Sequence, residues 1–347
     1  MVRRLVFVTQ TIDADDPNLA QTIDLVAALA RRTEEVVVLA DRVRRHDLPA
    51  NVAFSTFGAR TRVGRVLRYE RALLAAGRPD ALLAHMSPTF LLAAAPLLKP
   101  MRVPLALWYT HWRAGRALRL ADRLCDVALT VDRASYPLPS AKVRAIGHAV
   151  DLAAFPPRSE EPPGPFRVLA LGKTEPWKGF AVLLDALERV DARLEIRGPQ
   201  LHEGQVRHRA ELETRVASST ALRDRVTIAD AVPRARVPEL IRSAHAVVSP
   251  GGVRAGGEAL DKVTFEAAAC AVPVVASHPS LQAVLALAPI RLSFSPGDAG
   301  DLAEVLAGLG AASPEQRTEA GRMLRRWVEE EHSLELWADR VLGALVR

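Results

Sequence analysis

The sequence predicts an α/β protein made of two doubly wound domains. Short apolar runs of strand length alternate with amphipathic stretches of helix length from Leu5 onward. The runs are continuously apolar rather than alternating, as expected of parallel strands covered on both faces. The alternation breaks at one proline-rich stretch and then restarts, and 347 residues are comfortable for two domains.

Residues 5–9 read as a buried strand. Residues 19–32 read as a helix, with Leu19, Ile23, Val26, Ala27 and Ala30 at helical spacing, and residues 36–39 as a second buried strand. Further strands are expected at 52–57, 81–84, 104–108, 127–131 and 143–146. Residues 156–165, PPRSEEPPGP, hold five prolines in ten positions, which neither a sheet nor a helix interior accepts. This is the predicted linker. Beyond it, strands are expected at 167–171, 193–196, 226–228, 246–249 and 272–276, with a helix at 180–189. Residues 314–347 read as two helices that pack back on the first domain. The expected division is therefore 1–155, 156–165, 166–313 and 314–347. Sheets of this kind take ligands beyond the carboxyl ends of their strands, and two facing domains make a cleft.

Composition narrows the function. Apolar residues at 49% and charged residues at 25% suit an ordinary globular chain. Cys125 and Cys270 both lie in apolar segments and read as reduced core residues, which favours a cytoplasmic setting. No secretory signal is recognised, and the longest apolar run, residues 90–98, is far short of the ~20 residues that span a bilayer. The net charge of +6 fits a nucleic acid, a membrane surface or a diphosphate. The arginines are dispersed and aromatics are sparse, so nucleic acid is not expected. The run at 90–98 and the arginines leave peripheral contact with anionic lipid at the inner face of a membrane open. No Gly-x-Gly-x-x-Gly loop follows the first strand, and no Walker loop, Gly-x-Ser-x-Gly elbow or zinc spacing occurs. Asp13-Ala-Asp15 mimics a metal pair but reads as turn residues, so no metal is expected.

Two segments carry chemistry. Residues 171–179, LGKTEPWKG, follow a strand and open a helix. Gly172 lets a ligand approach the backbone, Lys173 and Lys178 supply charge, and the helix N-terminus adds its partial positive charge, a combination suited to a diphosphate. Solvated loop charge is the plainer reading of either lysine alone. In residues 256–276, Glu258 lies at a helix mouth and Glu266 one turn inside an apolar helix. A carboxylate suits vicinal hydroxyls such as those of ribose, although acids in a first turn also serve as caps.

These segments resemble the family 4 retaining glycosyltransferases, whose GT-B fold has two Rossmann-like domains. The family's Gly-Arg-x4-Lys-Gly loop is matched by Gly172-Lys173 and Lys178-Gly179. Its Glu-x7-Glu motif and the following Pro-Val-Val-Ala are matched by Glu258, Glu266 and residues 273–276. The linker entrance Ile146-Gly-His-Ala-Val-Asp151 with Phe155 also fits. The resemblance covers residues 140–290 well and the first half in outline. Lys173 stands where the family has arginine, and Ala259-Leu260-Asp261 where it has Gly-Phe-Gly.

The resemblance implies a metal-independent hexosyltransferase whose donor is a nucleotide-diphosphate sugar and which needs no cofactor. Residues 166–313 would bind the donor and residues 1–155 an unidentified acceptor, whether glycan, lipid-linked or small molecule. Lys173 and Lys178 would neutralise the leaving diphosphate, Glu266 would hold ribose and Glu258 would touch the sugar. Asp261 and Lys262, with Gly172, would complete the donor loops. The family places a histidine after a first-domain strand; His111 is the first candidate, His85 the second, and a structural histidine remains the alternative for each. Trp112 is open to acceptor stacking or core packing. A catalytically inactive nucleotide-binding module, and a hydrolase or epimerase acting on a nucleotide sugar, are the rival readings.

Overall fold

The structure, a computed structural model, describes residues 1–16, 19–251 and 260–346. The apolar runs of the first half become strands and the amphipathic stretches between them become helices. In chain order these are β1 (Arg4–Ile12), α1 (Thr22–Ala30), β2 (Glu35–Val43), β3 (Val52–Thr56), α2 (Arg62–Ala75), β4 (Ala81–His85), α3 (Pro88–Leu98), β5 (Leu105–Trp108), α4 (Arg116–Leu124), β6 (Val127–Thr130) and β7 (Val143–Ala145). Their order in the sheet is β3-β2-β1-β4-β5-β6-β7, with every described pairing parallel. Because β4, β5 and β6 are buried at every position, they read as continuous apolar runs. β1 extends past the expected Thr9, because β2 is equally long and pairs Thr11 with Arg42 and Ile12 with Val43. Asp13 and Asp15 then form a turn, with the Asp15 amide donating to Asp13 Oδ1 at 3.2 Å.

The second half repeats the pattern with β8 (Arg167–Leu171), α5 (Phe180–Leu187), β9 (Arg193–Arg197), α6 (Glu203–Ser218), β10 (Val226–Ala229), α7 (Val237–Arg242), β11 (Ala246–Ser249), α8 (Lys262–Ala269), β12 (Val274–Ala276), α9 (Gln282–Leu285), α10 (Ala299–Ala311) and α11 (Pro314–Glu331). Its sheet order is β10-β9-β8-β11-β12, again parallel. Each sheet reverses its strand order once, between β1 and β4 and between β8 and β11. That point is where doubly wound sheets hold ligands.

The chain divides into two compact units, Met1–Asp151 with Ser333–Arg347, and Leu152–His332. The boundary falls before Phe155 and the proline-rich stretch rather than after residue 155. The prolines cannot enter a ladder, but the polar residues beside them tie the stretch to the second unit. The Arg158 amide donates to the Cys270 carbonyl at 2.9 Å, and its guanidinium to that of Ala244 at 2.9 Å. Glu161 accepts two 2.7 Å hydrogen bonds from the fork of Arg317 on α11.

The C-terminal residues also divide. α11 packs on α8 in the second unit, where Gly321 is required because a Cβ there would overlap the Ala271 carbonyl. Only α12 (Leu334–Leu345) returns to the first unit. There Ser333 caps the helix, the Leu334 amide donates to the Val150 carbonyl at 2.8 Å, and fully buried Trp337 meets Trp108 edge-on at 4.9 Å. Arg32 binds Asp339 at 2.6 Å to fix α12 on α1. Cys125 and Cys270 are buried free thiols, and burial pushes them up to about 11 and about 12.

Candidate active site

The loop after β8 is shaped by two close backbone approaches. A Cβ at Gly198, just past β9, would overlap the Gly172 carbonyl, so the loop runs flush against the end of β9. Gly179 takes the left-handed conformation, φ +73°, at the start of α5. A Cβ there would overlap the Pro250 carbonyl, which brings this loop against the one after β11. Between them a short 3-10 turn, Pro176–Lys178, presents Lys178. Buried Glu175 anchors the loop from beneath, accepting from Gln205 Nε2 at 2.7 Å and His202 Nε2 at 2.9 Å.

Lys178 and Asp261 form an ion pair across the two loops, and the Ser249 hydroxyl at the end of β11 donates to the other Asp261 oxygen at 3.1 Å. Asp261 is the N-cap residue of α8. Lys173 is half-buried; burial first, and then the charge of Lys178, pull its ammonium below the usual lysine range. Glu258, with the rest of residues 252–259, lies outside the described residues.

One turn into α8, Glu266 is 7% exposed. α8 is buried on almost every side, so its carboxylate needs a partner. Arg234 Nη1 donates to Glu266 Oε1 at 3.2 Å, and Lys262 Nζ lies 3.9 Å from the same oxygen. Arg234 stands on a turn just past β10, its guanidinium 5.6 Å from the centre of the Phe155 ring. The sequence reading missed Arg234. Its available signal was an arginine a few residues past a strand's carboxyl end. The structure thus gathers Gly172, Lys178, Asp261, Lys262 and Glu266 on loops and a helix N-terminus at the β8–β11 reversal.

In the first unit the two histidines differ. His85 ends β4, is 3% exposed, shares a 3.1 Å hydrogen bond with the Thr9 hydroxyl and stacks on Phe7. It sits at that sheet's own reversal point. His111, half-buried beyond β5, accepts from the Arg113 amide at Nδ1, 3.0 Å, which places the proton of the neutral ring on Nε2. Its ring stacks on Trp112 at 5.3 Å, and the Arg113 guanidinium lies over the Trp112 ring, 5.2 Å from its centre.

Residues 165–310 match the sequence model of the family described as glycosyl transferases group 1. The second unit carries a glycosyl transferases group 1 domain. The match contains the loops after β8 and β11 and the whole of the second sheet. No curated protein matches the chain significantly. Among solved structures, HepE from Anabaena in complex with UDP and glucose is similar at TM-score 0.77 and 17% identity, covering 99% of each chain. Sucrose-phosphate synthase from Thermosynechococcus elongatus is similar at 0.77 and 17%, covering 98% of each. A glycosyltransferase from Rickettsia africae is similar at 0.79 and 12%, covering 99% of this chain and 98% of that one. These likenesses establish the GT-B fold along the chain. Among the described residues no group of three or more His, Cys, Asp or Glu side chains is arranged to hold a metal ion, and no helix is long and apolar enough to cross a membrane.

Proposed function

We propose that the protein is a retaining glycosyltransferase that moves a sugar from a nucleotide-diphosphate donor to an acceptor hydroxyl without a metal. The observation carrying this reading is the convergence of Lys178, Asp261 and Glu266 at the β8–β11 reversal of a glycosyl transferases group 1 domain. UDP and UDP-glucose in complexes of the Anabaena relative support a nucleotide-sugar donor. Lys178, with Lys173, neutralises the diphosphate as the bond to the anomeric carbon breaks. Glu266, oriented by Arg234, holds the ribose hydroxyls. Lys262 supports Glu266, and Glu258 contacts the sugar. In the first unit, His111 keeps an Nε2–H that can donate to a substrate hydroxyl, and buried His85 is the second candidate for that role.

The acceptor oxygen attacks the anomeric carbon from the face the diphosphate leaves. The bond pair goes to the diphosphate, whose oxygen takes the acceptor proton. The protein supplies position and a fixed positive field rather than a nucleophile.

A second reading, a nucleotide-binding module without turnover, is favoured by the carboxylate of Asp261 already lying on Lys178. Thermal shifts with UDP, GDP, ADP and TDP identify the base, since a ligand of the native state raises Tm. Incubation with the matching nucleotide sugars, with and without acceptor and in excess EDTA, then follows nucleoside diphosphate release. Release that depends on acceptor and survives EDTA is expected. Binding without release establishes the second reading, release without acceptor a hydrolase, and activity restored only by magnesium or manganese overturns the metal-independent mechanism.

A further inference from the structure

Gln205 lies in the first turn of α6 and is 1% exposed. A buried amide needs partners, and every polar group of this residue has one. Its backbone amide donates to the His202 carbonyl at 3.0 Å. Its Oε1 accepts from the Leu201 amide at 2.6 Å, the backward reach that a first-turn residue makes to the chain before its helix. The other two contacts leave α6 altogether. Nε2 donates to Glu175 at 2.7 Å, and the carbonyl accepts from the hydroxyl of buried Thr174 at 3.2 Å. A helix cap needs neither.

Thr174 and Glu175 follow Lys173 and precede the turn that bears Lys178. The Glu175 amide donates to the Lys173 carbonyl at 2.7 Å, and the Glu175 carbonyl accepts from the Lys178 amide at 2.9 Å. Glu175 stands at the N-cap of that turn, yet its side chain does not cap it and is committed to Gln205 and His202 instead. The backbone that sets both lysines is therefore held by one buried residue, which on its other side holds the loop after β9. We propose that Gln205 is a positioning residue for the donor diphosphate, fixing the turn between Lys173 and Lys178 and keying it to the loop at 198–202. The proposal rests on the donor reading and adds to it a residue that governs the lysines without touching substrate.

Gln205→Glu keeps the shape and sets a second carboxyl against that of Glu175. Two buried carboxyls in contact share one proton. At about pH 6 the shared proton keeps the contact, and at about pH 8 its loss sets two charges against each other and releases the turn. Glu175 also faces His202 at the start of α6 and the charge of Lys173 on its own loop, so the wild type at the same pH is the reference. Calorimetric titration with UDP, GDP, ADP and TDP, and with the monophosphate of whichever binds, reads the effect. Gln205→Leu should weaken diphosphate binding roughly tenfold, because displaced positioning groups carry losses of at least that order, and weaken the monophosphate less. Gln205→Glu should bind as wild type at the lower pH and roughly tenfold more weakly at the higher. A residue that only stabilises α6 would lower Tm and leave the ratio of diphosphate to monophosphate affinity, and its pH dependence, as in wild type; that result overturns the proposal. If circular dichroism shows Gln205→Leu unfolded, the isosteric Gln205→Glu decides. Lys178→Ala separates the two readings. If it binds the diphosphate as wild type does, or the wild type binds none of the four, the donor reading and the proposal fall together. If it binds weakly while both Gln205 variants behave as wild type, the proposal falls alone.

Discussion

At position 261 the chain sets a carboxylate against Lys178, where the resembling family has a glycine. A diphosphate entering this loop must compete with that carboxylate for the same ammonium. Asp261→Asn should therefore raise affinity for the nucleoside diphosphate roughly fivefold, taking a partly exposed pair as worth ~1 kcal/mol. Titration calorimetry reads this, and unchanged or weaker binding would show that the diphosphate lies elsewhere. Lys178→Ala should lower kcat as well as donor affinity, because the diphosphate gains charge as its bond breaks. Glu266→Gln should mainly raise the donor KM, by roughly ten- to a hundredfold for a charged hydrogen bond of ~1.5–3 kcal/mol. If both variants keep kcat/KM within about twofold of wild type, the donor site is misplaced. Lys178, Asp261 and Glu266 were legible in the sequence because each lies at a fixed distance from a glycine turn or helix start. The contact of Arg234 with Glu266 was not, because it comes from where β10 lies in the sheet, an order that spacing along the chain does not carry.

The strands were legible in number and order, since burial on both faces leaves continuous apolar runs, but β1 and β2 run on past those runs through a polar stretch where they pair with each other. Helix packing was less so. That α11 packs in the second unit rests on contacts distant in the chain, among them Gly321, whose missing side chain lets α11 approach the Ala271 carbonyl. Gly321→Ala should force these elements apart and lower stability by about 1–3 kcal/mol, measured by denaturant unfolding; a neutral effect would mean that α11 does not bear on this point. β11 carries a pH response at its entry. His245, immediately before it, is 4% exposed and accepts from the Arg167 amide at 3.0 Å. Burial lowers its pKa below the ordinary 6.5. The folded state therefore resists a proton that the unfolded chain accepts, so stability is full above about pH 6.5 and falls as pH drops from there toward the folded value. His245→Asn should flatten this slope in Tm between pH 7.5 and 5.5, and an undiminished slope would assign the titration to another group.

Across the whole molecule, the first unit is closed by the last helix. Trp337 is fully buried against Trp108, and its indole nitrogen has no hydrogen-bond partner among the described residues. Trp337→Ala should cost ~3–5 kcal/mol, while Trp337→Phe, which removes the unpaired N–H with part of the ring, should cost less than about 1.5 kcal/mol. Calorimetric unfolding reads both, and equal losses would mean that the polar atom is paired.

The bridge between Val150 and Ser333 has a consequence of another kind. The chain leaves the first unit after Asp151 and re-enters it at Ser333, so exit and return lie side by side. The second unit is topologically a guest spliced into one seam of a host. A recombinant chain joining residues 1–151 to 333–347 through a short Gly-Ser tether should keep the host's parallel sheet. By the same token, a different guest could be grafted at that seam, making residues 151 and 333 the natural cut points for building chimaeras of this fold.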